Sequence, residues 1–348
     1  MTETLTTPVT TTAAASEPPP AIRTRKLRKV YPVPAGARRP GAPASPAPSP
    51  AGGIVALEAL DLEVGDGEFF GLLGPNGAGK TTTIGILTTR VRPTSGQAWV
   101  AGIDVVGQDV VVRHHIGVVP QRANPDRALT VRENLLFHAA YFGIARSVAE
   151  ARAEELLQTF DIADRAGAKV DQLSGGQQQR LMVVRALMHD PRVLFLDEPT
   201  VGLDPQSRLA LWDILRGLHA KGHTIVMSTH YMEEADQLCQ RVAIIDRGLL
   251  LALDAPAQLK ARAPGGTLIE LTLDADATAA AEAAGAAPGV TKVESAGPRL
   301  RAWTPRAGES VAGLIRAAEQ SGREVRDIHL APPSLETLFI SLTGRKLG

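Results

Sequence analysis

One segment, Glu68-Phe69-Phe70-Gly71-Leu72-Leu73-Gly74-Pro75-Asn76-Gly77-Ala78-Gly79-Lys80-Thr81, restricts this chain more than any other. Its first half is a short apolar run, the pattern of a strand buried on both faces of a parallel sheet. Its second half fits the spacing G-x-x-x-x-G-K-[ST], with Gly74, Gly79, Lys80 and Thr81 at the fixed positions. From Thr81 to Thr89 the pattern continues as a helix. Strand, glycine-rich loop and helix in that order build a phosphate site. Backbone N–H groups must converge on phosphate oxygens, and side chains would block that approach. The helix N-terminus adds partial positive charge. Lys80 supplies a point charge for the β- and γ-phosphates, and the Thr81 hydroxyl is placed to ligate Mg²⁺. The residues expected on the nucleoside triphosphate are therefore Gly74, Pro75, Asn76, Gly77, Ala78, Gly79, Lys80, Thr81 and the following Thr82.

Further apolar runs suit the same architecture. Val193–Leu196, Thr224–Ser228 and Val242–Asp246 read as buried strands, and a helix fits between each pair. Strands alternating with helices imply a parallel sheet covered on both faces. Val55–Leu57 and Leu60–Val64 read as two more strands, as do Ala98–Gly102 and Ile116–Val119. Thr130-Val131-Arg132-Glu133 is a capping box, and residues 130–190 are mostly helical.

The run Val193–Leu196 ends in Asp197-Glu198. Ligands of open α/β sheets sit at this carboxyl edge. An acidic pair after a strand is by itself usually a helix cap. Beside a phosphate loop it becomes a metal and base pair. Asp197 can hold Mg²⁺ through water, and Glu198 can polarise the attacking water as general base. A second glycine-containing helix start, Leu173-Ser174-Gly175-Gly176-Gln177-Gln178-Gln179-Arg180, is either another anion site or a simple N-cap.

Gly74–Thr82, Leu173–Arg180 and Val193–Thr200 followed by Gly202-Leu203-Asp204-Pro205, in that order, closely resemble the nucleotide-binding subunit of ABC transporters. The resemblance spans residues of about 23 to 260. It implies an α/β P-loop NTPase fold with antiparallel β and α-helical subdomains, and it implies ATP as the nucleotide. It assigns Gln121 to the loop that touches Mg²⁺ and the attacking water, and His230 to the switch that contacts the γ-phosphate. It also makes Asp204 the loop that crosses to a second subunit. Ser174, Gly175, Gly176 and Gln177 would then close on ATP held by Lys80 and Thr81 of another copy, in a head-to-tail dimer. The aromatic that stacks on adenine should precede the phosphate loop. Tyr31 matches, although the Pro-rich segment after it is longer than the family's short turn; the other reading is a strand-packing tyrosine.

Composition sets the remaining bounds. The chain has 348 residues, 44% of them hydrophobic, enough for a sizeable core. Residues 1–22 read as a disordered tail, 23–266 as the ATP-binding domain, 32–53 as a Pro-rich loop insertion and 122–192 as a helical subdomain. Residues 267–348 read as a C-terminal accessory α+β domain of ferredoxin-like order, ending in a helix over 334–343. Equal numbers of basic and acidic residues, 37 of each, give no global reason to expect nucleic acid. Locally, Arg23, Arg25, Lys26, Arg28, Lys29, Arg38 and Arg39 form a basic stretch, either a surface for membrane or phosphate or a solvated loop and edge strand. The single cysteine, Cys239, excludes an internal disulfide. No run approaches the ~20 apolar residues that span a bilayer. The chain is expected to be cytoplasmic, reaching the membrane only through a partner.

Thr229-His230-Tyr231-Met232-Glu233-Glu234-Ala235 and the tail Pro333-Ser334-Leu335-Glu336-Thr337-Leu338-Phe339 look like the ATPases that pair with ABC-2 type permeases, including daunorubicin-resistance exporters. The resemblance favours export, with the permease on a separate chain and this subunit on the cytoplasmic face of the membrane. The other class, a soluble ABC ATPase acting on ribosomes or DNA, usually carries tandem ATPase domains or a long coiled-coil insertion. This chain has one phosphate loop and no sustained heptads.

Overall fold

The computed structural model describes residues 19–32 and 53–344. The chain begins with an antiparallel layer. Strand β1 (Ile22–Pro32) pairs on one side with β2 (Gly53–Val64) and on the other with β4 (Ser95–Val100), which continues to β5 (Ile103–Asp104). Between them in the chain come β3 (Phe69–Leu73) and α1 (Lys80–Leu87). Val55–Leu57 and Leu60–Val64 are one strand, not two. Register shifts opposite Leu27 and Lys29 absorb the break in alternation.

After α2 (Asp109–His115) and β6 (Ile116–Val119) the chain builds a helical layer of α3 (Val131–Tyr141), α4 (Arg146–Thr159) and α5 (Gly175–Leu187). It then alternates: β7 (Val193–Asp197), α6 (Pro205–Ala220), β8 (Thr224–Thr229), α7 (Met232–Leu238), β9 (Arg241–Asp246), β10 (Leu249–Asp254) and α8 (Pro256–Ala261). The central sheet has the order β10-β9-β3-β8-β7-β6. Its pairs β9–β3, β3–β8, β8–β7 and β7–β6 are parallel, and β10 adds an antiparallel edge.

Period-two alternation decides which layer each side chain joins. Phe69, Leu73, Leu194, Leu196, Ile225 and Met227 face the helical layer, in one core with Leu135, Leu157 and Leu181. Phe70, Leu72, Val193, Phe195 and Val226 face the other way, in a second core with Ile84, Leu57 and Leu60. Both faces are covered, so the strands read as unbroken apolar runs. Cys239 belongs to the helical-side core, where burial pushes its thiol pKa upward.

The last part of the chain runs β11 (Thr267–Leu273), α9 (Thr278–Ala284), β12 (Lys292–Ala296), β13 (Arg299–Thr304), α10 (Ala307–Gln320), β14 (Val325–Ala331) and α11 (Leu335–Thr343). Its sheet order β12-β13-β11-β14 is that of a ferredoxin-like unit, all pairs antiparallel. Ile269, Leu271, Leu300 and Leu314 form its own small core.

Four expectations need correction. Residues 1–22 are not all tail, because Ala21 and Ile22 are buried and β1 starts at Ile22; residues 1–18 lie outside the described residues. Pro32 and Gly53 are not loop but the last paired rung of β1 and β2; 33–52, with Arg38 and Arg39, lie outside the described residues. The basic stretch sits on an inner strand, where Arg23 and Arg28 pair with Glu63 and Glu58 of β2. The final helix does not join the C-terminal core. Leu335, Leu338 and Phe339 pack into the helical-side core with Leu238, Leu259 and Ala263, so α11 returns to the nucleotide-binding unit.

Candidate functional site

The loop between β3 and α1 owes its shape to two glycines. Gly79 has φ of 110°, and a Cβ there would come within 2.6 Å of the Ala56 carbonyl oxygen. At Gly74 a Cβ would lie 2.2 Å from the Ile245 carbonyl oxygen. A positive φ and a close backbone approach both exclude other residues. The loop borders an open groove of about 520 Å³, lined by Pro75 to Thr82, Gln121 and Glu198 and by Ile54, Val55 and Ala56 at the start of β2.

Lys80 is 3% exposed. Its Nζ donates to the Gly74 carbonyl at 2.7 Å and the Pro75 carbonyl at 3.1 Å, and stands 3.0 Å from Glu198 Oε1. The other oxygen of Glu198 accepts from Gln121 Nε2 at 3.0 Å, with His230 Nδ1 3.4 Å away. Burial alone would raise the Glu198 pKa. The Lys80 hydrogen bond and charge, with the His230 contribution, outweigh it and hold the carboxyl below its usual range. Glu198 also has φ of 49°, a left-handed conformation unusual for a side-chain-bearing residue. Strain of this kind clusters where a side chain is re-aimed for function.

Asp197 ends β7 one residue earlier. Its Oδ1 accepts from Thr81 Oγ1 at 3.3 Å and from Ser228 Oγ at 2.6 Å. Ser228 in turn accepts from the Glu198 N–H at 3.0 Å. Ser228 had no sequence signal beyond its place in an apolar strand, yet it ties the Asp197 carboxylate and the Glu198 backbone to β8. Thr81, Gln121 and Asp197 share a second groove of about 520 Å³, whose rim carries Arg90, Arg122 and Arg185. A hydroxyl, an amide carbonyl and one carboxylate are the hard oxygen donors that Mg²⁺ takes when phosphates complete its shell. Among the described residues no group of three or more His, Cys, Asp or Glu forms a stand-alone metal site.

The second glycine-containing helix start is elsewhere. Ser174 caps α5: its Oγ accepts from the Gln177 N–H at 3.3 Å, and Gln177 Oε1 accepts from the Ser174 N–H at 3.0 Å. Ser174, Gly175, Gly176 and Gln177 do not line the groove beside Lys80. Gly176 instead adjoins α6, where a Cβ would come within 2.6 Å of Ser207 Oγ. That Ser207 hydroxyl donates to Asp204 Oδ2 at 2.6 Å, and its N–H donates to Oδ1 at 2.9 Å. These two bonds lower the Asp204 pKa, and they make Asp204 the N-cap of α6. The Ser174 and Asp204 segments therefore form one surface, separate from the Lys80 groove within a single chain.

Tyr31 also stays outside the groove lining. It lies opposite Ile54 on the β1–β2 pair, with Lys29 Nζ 4.9 Å from its ring centre. Tyr31, the residue expected on the base, does not line the groove, whereas Ile54, 42% exposed, does. Its signal was weak, since it directly follows the Pro-rich segment.

Residues 57–201 match the ABC transporter family model. The chain is 41% identical over 289 residues to the daunorubicin resistance ATP-binding protein DrrA3 of Streptomyces coeruleorubidus, covering 83% of this chain and 91% of that protein. It is 41% identical to the Nod factor export ATP-binding protein I of Paraburkholderia xenovorans (strain LB400), covering 84% and 93% respectively. Among solved structures it resembles the dimeric cassette MJ0796 in a post-hydrolysis state with ADP and Pi. There the TM-score is 0.58 and the identity 27%, over 67% of this chain and 98% of that one. An ATP-binding subunit of an ABC transporter matches with a TM-score of 0.58 and 26% identity, over 70% and 92%. With the phosphate loop, the paired carboxylates and relatives of this extent, the chain belongs to the ABC transporter family as an ATP-hydrolysing, ATP-binding subunit.

Proposed function

We propose that this chain is the motor subunit of a membrane exporter, driving efflux of a drug or natural product through a permease on a separate chain. The observation that carries the hydrolytic part is the convergence of Lys80, Gln121 and His230 on the Glu198 carboxylate at the mouth of the phosphate loop. The export part rests on the names of its relatives, which act in daunorubicin resistance and Nod factor export.

In this reading the loop N–H groups and Lys80 hold the β- and γ-phosphates. Glu198, kept ionised, accepts a proton from the attacking water, and Gln121 and His230 orient it and the γ-phosphate. Thr81, Gln121 and Asp197 would hold Mg²⁺, which neutralises charge on the phosphates when bound. Tyr31 stacks on adenine and Ile54 packs beside it. The Ser174–Gln177 and Asp204 surface belongs to the site of a second copy, in a head-to-tail dimer. Its separation from the Lys80 groove supports that arrangement, as does the dimeric form of the MJ0796 cassette. Closing the dimer on ATP and releasing it after hydrolysis is a binding-energy switch.

No helix among the described residues is long and apolar enough to cross a membrane. Attachment to the membrane then falls to the permease. The helical layer offers an apolar groove of about 390 Å³ lined by Leu129, Leu136, Phe137, Ala140 and Ile144, with Phe137 71% exposed. This groove and the one beside Gln121 suit helices of a permease. The test is co-purification. The chain brings down a membrane protein from its own cells, and ATP hydrolysis in that complex rises with the exported compound. Recovery of ribosomes or DNA with no membrane protein would replace the exporter reading with that of a soluble ABC ATPase.

A further inference from the structure

His230 follows the end of β8, and the residues on either side of it are tied to one buried carboxylate. Glu234, on α7, is 0% exposed. Its Oε2 accepts from Thr229 Oγ1 at 2.5 Å, and its Oε1 accepts from Trp212 Nε1 at 3.0 Å. The Thr229 hydroxyl also accepts the Tyr231 N–H at 2.9 Å. Thr229 and Tyr231 flank His230, so the Glu234–Thr229 pair fixes the backbone before and after the histidine. Tyr231, the N-cap of α7, has no side-chain cap of its own. Glu234 occupies the third position of α7, where a capping-box acid would reach back to the N-cap N–H; here it reaches the same N–H through Thr229.

Two further contacts extend the support. The Tyr231 ring packs on His230 at 4.2 Å between centroids, and the Arg208 guanidinium lies over Tyr231 at 5.2 Å. Trp212 and Arg208 both belong to α6, the helix capped by Asp204. Among the described residues Glu234 forms no ion pair, so two neutral donors hold a fully buried acid. Burying such a group is costly unless its hydrogen bonds are satisfied, as they are here by Thr229 and Trp212.

We infer that Glu234, through Thr229, is a positioning residue for His230, and that Trp212 anchors this unit to the Asp204 helix. The inference rests on the role given to His230 above. The full-length chain with Mg-ATP tests it. Thr229→Val removes the hydroxyl that both donates and accepts; kcat should fall about tenfold while KM stays within about threefold. Thr229→Ser, which keeps the hydroxyl, should recover most of the loss. In a His230→Ala background, Thr229→Val should cost nothing further, because the residue it positions is gone. Should Thr229→Val fail to fold, Trp212→Phe removes only the indole donor and should lower kcat about threefold, again with no added loss in the His230→Ala background. A Thr229→Val enzyme of unchanged kcat, or one whose loss multiplies with that of His230→Ala, overturns the inference. A His230→Ala enzyme of normal kcat instead overturns the role of His230 itself, and the positioning role with it.

Discussion

Lys80 Nζ lies 3.0 Å from Glu198 Oε1, with the two side chains 3% and 4% exposed. In the proposed mechanism Lys80 meets the γ-phosphate and Glu198 the attacking water, so this contact makes the two roles share one charge. A γ-phosphate held by Lys80 as proposed would compete with Glu198 for it. Glu198→Gln removes the competing anion, so Mg-ATP should bind as tightly or several-fold more tightly. Hydrolysis should fall by roughly 10²–10⁴ through loss of the base. Equilibrium binding beside single-turnover hydrolysis checks both halves, and weaker binding would contradict the competition.

His138 gives the protein an acid limit. Burial, with Arg185 and His189 nearby, pushes its pKa down from 6.5 to about 4. A folded pKa below the unfolded one favours the neutral ring. The stability it contributes is complete above pH 6.5 and is lost as pH falls towards 4, by at most roughly 3 kcal/mol. Denaturant melts between pH 7 and 4.5 should show this loss, and His138→Phe should flatten it. A variant with the same slope would place the acid sensitivity elsewhere.

Gly176 is held free of a side chain by Ser207. Since a Cβ would come within 2.6 Å of Ser207 Oγ, Gly176→Ala should displace the Asp204 cap. ATPase activity should drop about tenfold while nucleotide affinity at the phosphate loop is unchanged. Adding Ser207→Gly removes the clashing atoms and should recover part of the activity. No recovery would show that Gly176 matters for another reason.

Phe339 is 0% exposed and sits in the helical-side core rather than among the C-terminal strands. Phe339→Ala should cost ~3–5 kcal/mol, in the range of buried Phe truncations. The lost stability should appear in the transition that reports nucleotide-site unfolding, read by bound fluorescent ATP analogue. A loss confined to the 267–331 unit would contradict the packing of α11. Removing residues 267–348 as a block would therefore also strip Leu335, Leu338 and Phe339 from the helical-side core.

Tyr31 and Ile54 divide the nucleobase question. Stacking by Tyr31 predicts that Tyr31→Ala weakens ATP binding by ~1–3 kcal/mol, the usual worth of a base on an aromatic face. Ile54→Ala should have a smaller effect of the same sign. If only the Ile54 change matters, Tyr31 is a strand-packing residue.

The sequence alone determined everything that local spacing and period encode. Gly74 to Thr81 could be read because a phosphate loop needs glycine, lysine and hydroxyl at fixed offsets. The central strands could be read because burial on both faces leaves unbroken apolar runs, and the ferredoxin-like order followed from strand and helix periods. Tertiary structure decided what depends on approach between distant segments. Period showed that 334–343 is a helix, but not which core its apolar face would join. Ser228 and Glu234 looked like ordinary strand and helix residues until the fold set them against Asp197 and Thr229. Gly176 reads in the sequence only as part of a glycine-containing helix start; the fold adds that it lies where α5 meets α6. The phosphate loop was legible because its chemistry is contiguous, and Asp197, Glu198, Gln121 and His230 were legible through the motifs of the resemblance; the tie through Ser228 was not, because its hydrogen bonds join β8 to the end of β7, about thirty residues away in the chain.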